Sequence, residues 1–401
     1  MSKRFTKRSA AMSLAAIAAL ALAACGGNGG NGGTEGTTPA GGTTAGGSTE
    51  GGEAPAPSGE SVVLNLATMV QTTTPHHPVT MWFFDELAAR SDGRLTVDVT
   101  NPEEVCPGPE IAQCVRDGRA DIGVTITDYT PALFPTQTVV SLPFMADNAS
   151  AVMQALYEMY MENEDAQAVW EGNDLEFVGA WPVGRLIMGS HEELDNMGDL
   201  EGFKLRAIGP YTQQSFQLAG SNIVSIAAAE TYEGIQNRLA DGVAWTFDGP
   251  VDYGLMELLP YWTDPGFGHY TVFSMWVNDD VYEGLPDDLK AIFDEVREDF
   301  NTGEGIVKFN ESSGRQCDEL LGNPTTEKFD RWEESDTQEW KDLVGTQMID
   351  QWVEQATTDG LANAEQYLAD YQDKLATFAD APDLVEDPVI ACVDRYLTDK
   401  G

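Results

Sequence analysis

Over residues 200–253, hydrophobic and polar positions switch between two periods, which predicts an α/β unit. Short β-branched and apolar runs predict strands at 204–208, 222–225 and 243–247. Longer runs with apolar residues three or four positions apart predict a helix beginning beside Gly209 and another at about 230–239. Because a helix separates consecutive strands, we expect the strands to be parallel.

The same order of elements occurs earlier in the chain and predicts a second lobe. Strands are expected at 62–68, 95–99 and 122–126, with a helix after the first strand and a short helix at about 109–117. We interpret 72–78, which includes His76, as the loop after the first strand. Residues 149–170 predict one helix, and the periodicity of 311–401 predicts a mainly helical end.

The predicted fold class is therefore α/β, a two-lobed periplasmic-binding-protein-like fold with a hinge and a helical C-terminal region. The predicted domains are listed in chain order: a signal peptide at 1–24, a lipid-anchored flexible linker at 25–60, lobe one at 61–182 plus 271–315, and lobe two with the C-terminal helices at 183–270 plus 316–401. We expect a ligand to bind between the lobes and to close them.

The first 60 residues have the composition of an export signal followed by a tether. Basic residues precede an apolar run, and small residues precede Cys25, an order typical of a secretory signal. The run Leu22-Ala23-Ala24-Cys25 also resembles a bacterial lipobox, which would make Cys25 the lipidated first residue of the mature protein. The alternative is an ordinary signal peptide with a coincidental cysteine. The Gly-, Thr- and Ser-rich stretch up to about residue 60 is typical of a flexible linker.

The chain is strongly acidic, with 66 Asp and Glu against 22 Lys and Arg, for a formal net charge of −44. This charge excludes nucleic acid and anionic lipid head groups as partners, so contact with the membrane is expected only through the lipid anchor. No acidic loop has the spacing of a calcium-binding hand, and we predict neither a metal site nor a cofactor.

Four cysteines remain after Cys25, and their even number in an exported chain favours disulfides. Four cysteines allow three pairings. We favour Cys106 with Cys114, which are close in sequence, and Cys317 with Cys392, which share the C-terminal region. A zinc site is the rival interpretation, but the chain lacks a C-x-x-C motif and has only four histidines.

Two residues of the 200–253 unit suit a binding cleft. The carboxyl ends of parallel strands face a crevice in which ligands are held. Arg206 lies on the first predicted strand, and its planar guanidinium matches a carboxylate, whereas Trp245 on the last strand offers a flat apolar wall. For an arbitrary arginine and tryptophan, a surface ion pair and a core position are the more common roles.

Four stretches resemble segments of the TRAP-transporter substrate-binding proteins, the DctP-like family. They occur in the family's order and at compatible spacing between about residues 64 and 300. In chain order they read GRADIGVTITDYTPALFPTQTVVSLPF, DLEGFKLRA, ETYEGIQNRLADGVAW and VNDDVYEGLPDDLKAIFDEV. The resemblance implies a two-lobed receptor that binds a small organic acid.

The resemblance also implies roles for individual residues. Arg206 would anchor the ligand carboxylate, Arg185 would assist from a neighbouring strand, and Trp245 would wall the site. Tyr129 and His76 would be further contacts, each with packing as its alternative role. Some relatives have Glu one position before this tryptophan, where it helps to hold a metal. Ala244 stands there in this chain, which argues against a metal-bridged ligand.

We therefore predict a lipid-anchored, extracytoplasmic receptor that captures a small organic acid and delivers it to a TRAP-type membrane permease. The first alternative is a receptor for another importer type or a sensor, since a fold alone does not identify the partner. The second is an exported hydrolase. The chain lacks G-x-S-x-G, H-E-x-x-H and phosphate-loop motifs, so no enzymatic activity is predicted.

Overall fold

A computed structural model describes residues 59–381 and 386–400. These residues form two mixed sheets, each flanked by helices, which confirms the predicted α/β class. Within these ranges, no helix combines the length and the apolar character that a membrane crossing needs. The predicted signal peptide, the linker and Cys25 lie outside the described residues.

Strands and helices alternate along most of the chain. The strands are β1 Val62–Thr68, β2 Leu95–Asp98, β3 Ile122–Ile126, β4 Leu175–Pro182, β5 Ile187–Ser190, β6 Lys204–Arg206, β7 Asn222–Val224, β8 Gly242–Trp245, β9 Tyr261–Asp264, β10 Val272–Asn278 and β11 Lys328–Arg331. The helices are α1 His76–Arg90, α2 Ile111–Arg116, α3 Ala149–Glu162, α4 Glu164–Glu171, α5 Pro210–Leu218, α6 Thr231–Gln236, α7 Asp248–Val251, α8 Asp279–Glu283, α9 Asp287–Asp299, α10 Gly305–Gly322, α11 Glu334–Val344, α12 Gln347–Thr358, α13 Ala364–Ala379 and α14 Pro388–Lys400.

The first sheet has five strands in the order β2-β1-β3-β10-β4. Strand β1 is parallel to β2 and β3, whereas β10 is antiparallel to β3 and β4. All five residues of β3 are buried. A strand that is covered on both faces reads as a continuous apolar run, and this is why its bounds could be predicted from the sequence.

The second sheet has six strands in the order β11-β9-β5-β8-β6-β7. Strands β7, β6 and β8 are parallel, as predicted for residues 200–253, and β5 is antiparallel to β8 and β9. The chain passes between the two sheets after β4, after β9 and, through helices α8 to α10, between β10 and β11. The first two crossings contact each other through an antiparallel bridge between Arg185 and His269, and they are the crossings meant below.

The C-terminal helices pack against elements of both lobes. Helix α13 contacts α3, α12 contacts α5, and α14 contacts both α10 and β11. The strands of the first sheet come from 62–182 and 272–278, and those of the second from 187–264 and 328–331. The domain boundaries given above remain a prediction.

Three local predictions were wrong. Helix α1 begins at His76, inside the expected loop, because Pro75 and Pro78 are tolerated where the first helical N–H groups have no partner. The expected helix at 149–170 is divided in two by Asn163, whose side chain accepts from Ala166 N and caps α4. Arg185 and Arg206 do not come from neighbouring strands, because β8 lies between β5 and β6.

Candidate binding site between the lobes

Arg206 and Trp245 meet at the ends of two adjacent strands. Arg206 is the last residue of β6 and Trp245 the last of β8, and these strands are parallel and paired. The guanidinium carbon lies 3.9 Å from the centre of the indole ring. The structure thus places the predicted anchor directly over the predicted wall, in a cation–π contact.

Arg206 is only 1% exposed, yet its polar contacts are uncharged. Its Nε donates to the carbonyl of Ile226 at 3.2 Å, and its Nη1 to the carbonyl of Ala244 at 3.5 Å. Among the described carboxylates, none forms an ion pair with it. Burial lowers the pKa of Arg206, and the neighbouring tyrosine hydroxyls, Tyr129 first, and the carboxylate of Asp248 oppose this change. A cation that is buried without a partner carries a large desolvation cost.

A cavity lies beside this guanidinium, between the two sheets. Its volume is about 20 Å³, room for roughly one water molecule. Residues from both sheets and both crossings line it: Met69, Ile126, Val183, Arg206, Ile208, Ala228, Trp245, Thr246, Asp248, Tyr253, Tyr270 and Phe273. The walls are mostly apolar and aromatic. Because the cavity is smaller than an organic acid, this conformation is a closed cleft.

Asp248 is a cavity residue that the sequence reasoning missed. It is the first residue of α7 and is 6% exposed. Its Oδ1 accepts from Trp245 Nε1 at 3.0 Å and from the hydroxyl of Thr246. The signal was its position three residues after Trp245, close to the carboxyl end of an apolar strand, where polar residues face the crevice.

His76 lies across from Asp248, on the first turn of α1, and is 1% exposed. Its Nδ1 accepts from Trp181 Nε1 at 3.2 Å, and its ring packs on Phe273 with 4.4 Å between centroids. Its Nε2 is 3.7 Å from Asp248 Oδ2, too far for a hydrogen bond. His76 therefore contacts Phe273 and faces Asp248, two residues that line the cavity, but it does not itself line the cavity.

Tyr129 joins the two lobes. It follows β3 of the first sheet, and its hydroxyl accepts from Ala228 N, which precedes α6 near the second sheet, at 3.3 Å. Burial raises the pKa of Tyr129. Although Tyr129 does not line the cavity, its hydroxyl is close enough to Arg206 to interact electrostatically.

Arg185 has different surroundings from those of Arg206. Its Nε donates to Asp264 Oδ2 at 2.7 Å, and its Nη1 to Asp147 Oδ1 at 2.6 Å. These carboxylates raise the pKa of Arg185 against the effect of burial. The structure brings Arg206, Trp245 and Tyr129 together, but it places Arg185 beside the crossings, with its charge already compensated.

The four described cysteines are paired in the structure. Cys106 is bonded to Cys114 and Cys317 to Cys392, with Cα atoms 6.6 and 5.7 Å apart. The second bond ties α14 to α10. Over 59–381 and 386–400, no group of three or more His, Cys, Asp or Glu side chains is placed to hold a metal ion.

Two α/β lobes with a closed, mostly apolar cleft that holds a few polar groups are typical of proteins that capture a small solute. A family model identifies the class: residues 66–355 match the bacterial extracellular solute-binding proteins of family 7, also called DctP, and the chain belongs to this family. The predicted family resemblance is thereby confirmed.

Among characterised proteins, the 2,3-diketo-L-gulonate-binding periplasmic protein YiaO of Escherichia coli is 24% identical over 171 residues, which are 42% of this chain and 52% of YiaO. The chain spans only about a third to a half of the length of the curated relatives it matches first.

Solved structures agree with the fold. A TRAP solute-binding protein from a marine metagenome, specific for aromatic acids and in complex with 3-hydroxybenzoate, superposes with a TM-score of 0.72 at 21% identity, covering 80% of this chain and 100% of that one. A TRAP periplasmic protein from Bordetella bronchiseptica with bound mandelate gives a TM-score of 0.70 at 18% identity, covering 79% and 99%.

Proposed function

We propose that this protein is an extracytoplasmic receptor that binds a small organic acid between its lobes and delivers it to a TRAP-type membrane transporter. Membership of the solute-binding family supports the receptor role. Structural neighbours described as TRAP proteins, in complex with 3-hydroxybenzoate or mandelate, support the transporter type and the ligand class. The receptor carries out no reaction on its ligand.

The observation that carries this proposal is that Arg206 is buried and forms no ion pair with a described carboxylate, while Asp248, in the same cavity, acts on it only at longer range. Its guanidinium is buried beside the cavity with only carbonyl acceptors, and a carboxylate is the group that its planar fork matches best. The ligand carboxylate would supply the missing negative charge. Trp245 would then form the wall over which the guanidinium lies.

The proposal includes a lipid anchor at Cys25. The tether after it would give the receptor reach from the membrane surface, where the permease is embedded. The change Cys25→Ser should release the protein into the soluble fraction. Persistence of the variant in the membrane fraction, with processing at the same position, would contradict the anchor but leave the ligand assignment intact.

Calorimetry against small mono- and dicarboxylates, with neutral sugars and amines as controls, tests the ligand class. Arg206→Ala should weaken carboxylate binding by roughly thirty-fold to several thousand-fold, since losing one partner of a buried charge pair costs about 2 to 5 kcal/mol. Arg206→Lys should restore little, because an ammonium keeps the charge but not the fork.

Lys204→Ala provides a matched control on the same strand. Lys204 is exposed and carries the same charge, so its loss changes the net charge equally but should leave affinity within about twofold. Tight binding of a neutral sugar by the wild type, or equal carboxylate affinity in Arg206→Ala and Lys204→Ala, would overturn the proposal.

A further inference from the structure

His76 and Asp248 face each other across the cleft but form no hydrogen bond with each other. The Nε2 of His76 is 3.7 Å from Asp248 Oδ2, and it has no hydrogen-bond partner among the described residues. Both side chains are more than nine-tenths buried. An unsatisfied buried donor next to cavity residues is a place where a polar group of a ligand can bind.

The hydrogen bonds of the two side chains define which group fits. The Trp181 indole can only donate, so Nδ1 of His76 must be the acceptor and the ring proton is on Nε2. On Asp248, Oδ1 already accepts from Trp245 and Thr246, and Oδ2 is directed at His76. The pair therefore offers a ligand one donor, Nε2–H, and one acceptor, Oδ2.

A hydroxyl group satisfies both sides, since its oxygen accepts from Nε2–H while its proton is donated to the carboxylate. An oxygen placed about 2.8 Å from each atom would lie beside the line that joins them. An ammonium group has no lone pair to offer Nε2–H. A carbonyl or a second carboxylate cannot donate to Oδ2, and a carboxylate would also be repelled by Asp248.

The pair is close to the carboxylate anchor. Asp248 lines the same small cavity as Arg206, and Trp245 contacts both of them. Phe273, on which the His76 ring packs, lines the cavity as well. A ligand with its carboxylate on Arg206 would therefore extend along apolar walls toward the pair.

We propose that His76 and Asp248 form a hydroxyl subsite, so that the preferred ligand is a hydroxylated monocarboxylate. This inference rests on the proposed function, because Arg206 supplies the carboxylate anchor. The subsite also joins the lobes: His76 begins α1 beside the first sheet, and Asp248 begins α7 after β8 of the second. The ligand hydroxyl thus bonds both lobes at once.

Calorimetry with matched acid pairs tests the subsite. The pairs are glycolate and acetate, lactate and propionate, mandelate and phenylacetate, and 3-hydroxybenzoate and benzoate, with malonate as a dicarboxylate. In the pair that binds most tightly, the hydroxy acid should bind about 10- to 100-fold more tightly than its deoxy partner, because the deoxy acid leaves a buried donor unsatisfied. Malonate should bind more weakly than that hydroxy acid.

Variants separate recognition of the hydroxyl from a structural role. Asp248→Asn should lower the hydroxy-to-deoxy affinity ratio to within about threefold, whatever its effect on the affinity for the deoxy acid itself. His76→Phe, which keeps the aromatic contact, should lower the ratio in the same way, and His76→Gln, which keeps a donor, should restore part of it. A merely structural role would weaken both members of a pair equally.

The outcomes distinguish this inference from the proposed function. If acids bind but hydroxy and deoxy partners bind equally, or if Asp248→Asn keeps the wild-type ratio, the hydroxyl subsite is wrong and the carboxylate receptor stands. If none of the acids binds to the wild type, both are wrong.

Discussion

Arg185 and Arg206 are both buried, but their surroundings are opposite. Arg185 lies at the crossings between Asp264 and Asp147, each within 2.7 Å of it. Arg206 lies at the cavity, where its hydrogen-bond acceptors among the described residues are carbonyl oxygens and its guanidinium lies over an aromatic ring. Burying either cation is costly, so the difference lies in what offsets the cost. At the crossings the protein itself supplies the counter-charge, whereas at the cavity we propose that the ligand does.

The crossings carry a second buried pair. His269 Nε2 is 3.5 Å from Asp387 Oδ2, and both side chains are buried. Burial lowers the pKa of His269 and raises the pKa of Asp387. Asp387 directly precedes α14, which the bond between Cys317 and Cys392 ties to α10. The C-terminal helix is thus fastened where the chain passes between the sheets.

Replacing each arginine by methionine should separate the two regions most strongly. Arg185→Met leaves Asp264 buried without its partner, so the free energy of unfolding should fall by about 3 to 5 kcal/mol. Arg206→Met leaves no carboxylate unpaired and removes a desolvated charge, so stability without ligand should be unchanged or higher. Chemical denaturation of both variants without ligand measures this, and an equal loss in both would break the contrast.

The disulfides extend the comparison to the C-terminal helix. Replacing both Cys317 and Cys392 by Ser should lower the free energy of unfolding by about 4 kcal/mol, because their disulfide closes a loop of 75 residues. The bond of Cys106 and Cys114 closes only 8 residues and serves as the control, with an expected loss of about 2 to 3 kcal/mol. Chemical denaturation of the wild type and of both double variants measures these losses in the free energy of unfolding. Free thiols in the denatured, unreduced wild type would contradict the pairing.

Asp128 is a buried acidic residue between the lobes, so its charge is opposite in sign to that of the two arginines. Burial raises the pKa of Asp128 to about 6, although the Ser141 hydroxyl donates to it. It faces the start of α5, where a side chain at Gly209 would come within 3.1 Å of it; the φ of 82° at Gly209 also favours glycine.

A raised carboxyl pKa stabilises the fold only while the group is protonated. That contribution is fully present below about pH 4 and is lost as the pH rises through about 6. Asp128→Asn should therefore match the wild type near pH 4 and exceed it by about 3 kcal/mol at pH 7. Unfolding free energies of both proteins across this range test it, and a constant difference would contradict the assignment.

The smallest expected effect is a change of shape. A cavity of about 20 Å³ is too small for an organic acid, so we expect the empty receptor to open in solution and to close over its ligand. Solution scattering should show a smaller radius of gyration with saturating ligand for the wild type and for Lys204→Ala, and no change for Arg206→Ala at the same concentration. Equal radii in the wild type would indicate a rigid receptor.

The sequence predicted those features that local patterns encode. Strands β1 and β3 have the expected bounds, and the KLR strand end placed Arg206 beside Trp245 at the carboxyl ends of parallel strands. Strands β9 and β11 were not predicted, because four residues show too little periodicity to distinguish them from a loop.

Features that depend on contacts between residues far apart in the sequence could not be predicted from local patterns. Arg185 resembles an anchor in sequence, but its partners Asp264 and Asp147 are 79 and 38 positions away. His76 and Asp248 likewise meet only through the packing of the two lobes. No local pattern shows whether a charge is compensated inside the protein.

A crystal structure of the receptor with its tightest-binding acid tests the carboxylate anchor most directly. We expect both carboxylate oxygens to lie about 2.7 to 3.0 Å from the guanidinium nitrogens of Arg206, while Arg185 keeps Asp264 and Asp147. A ligand carboxylate bound by Arg185, or a ligand that leaves Arg206 without a negative partner, would contradict it.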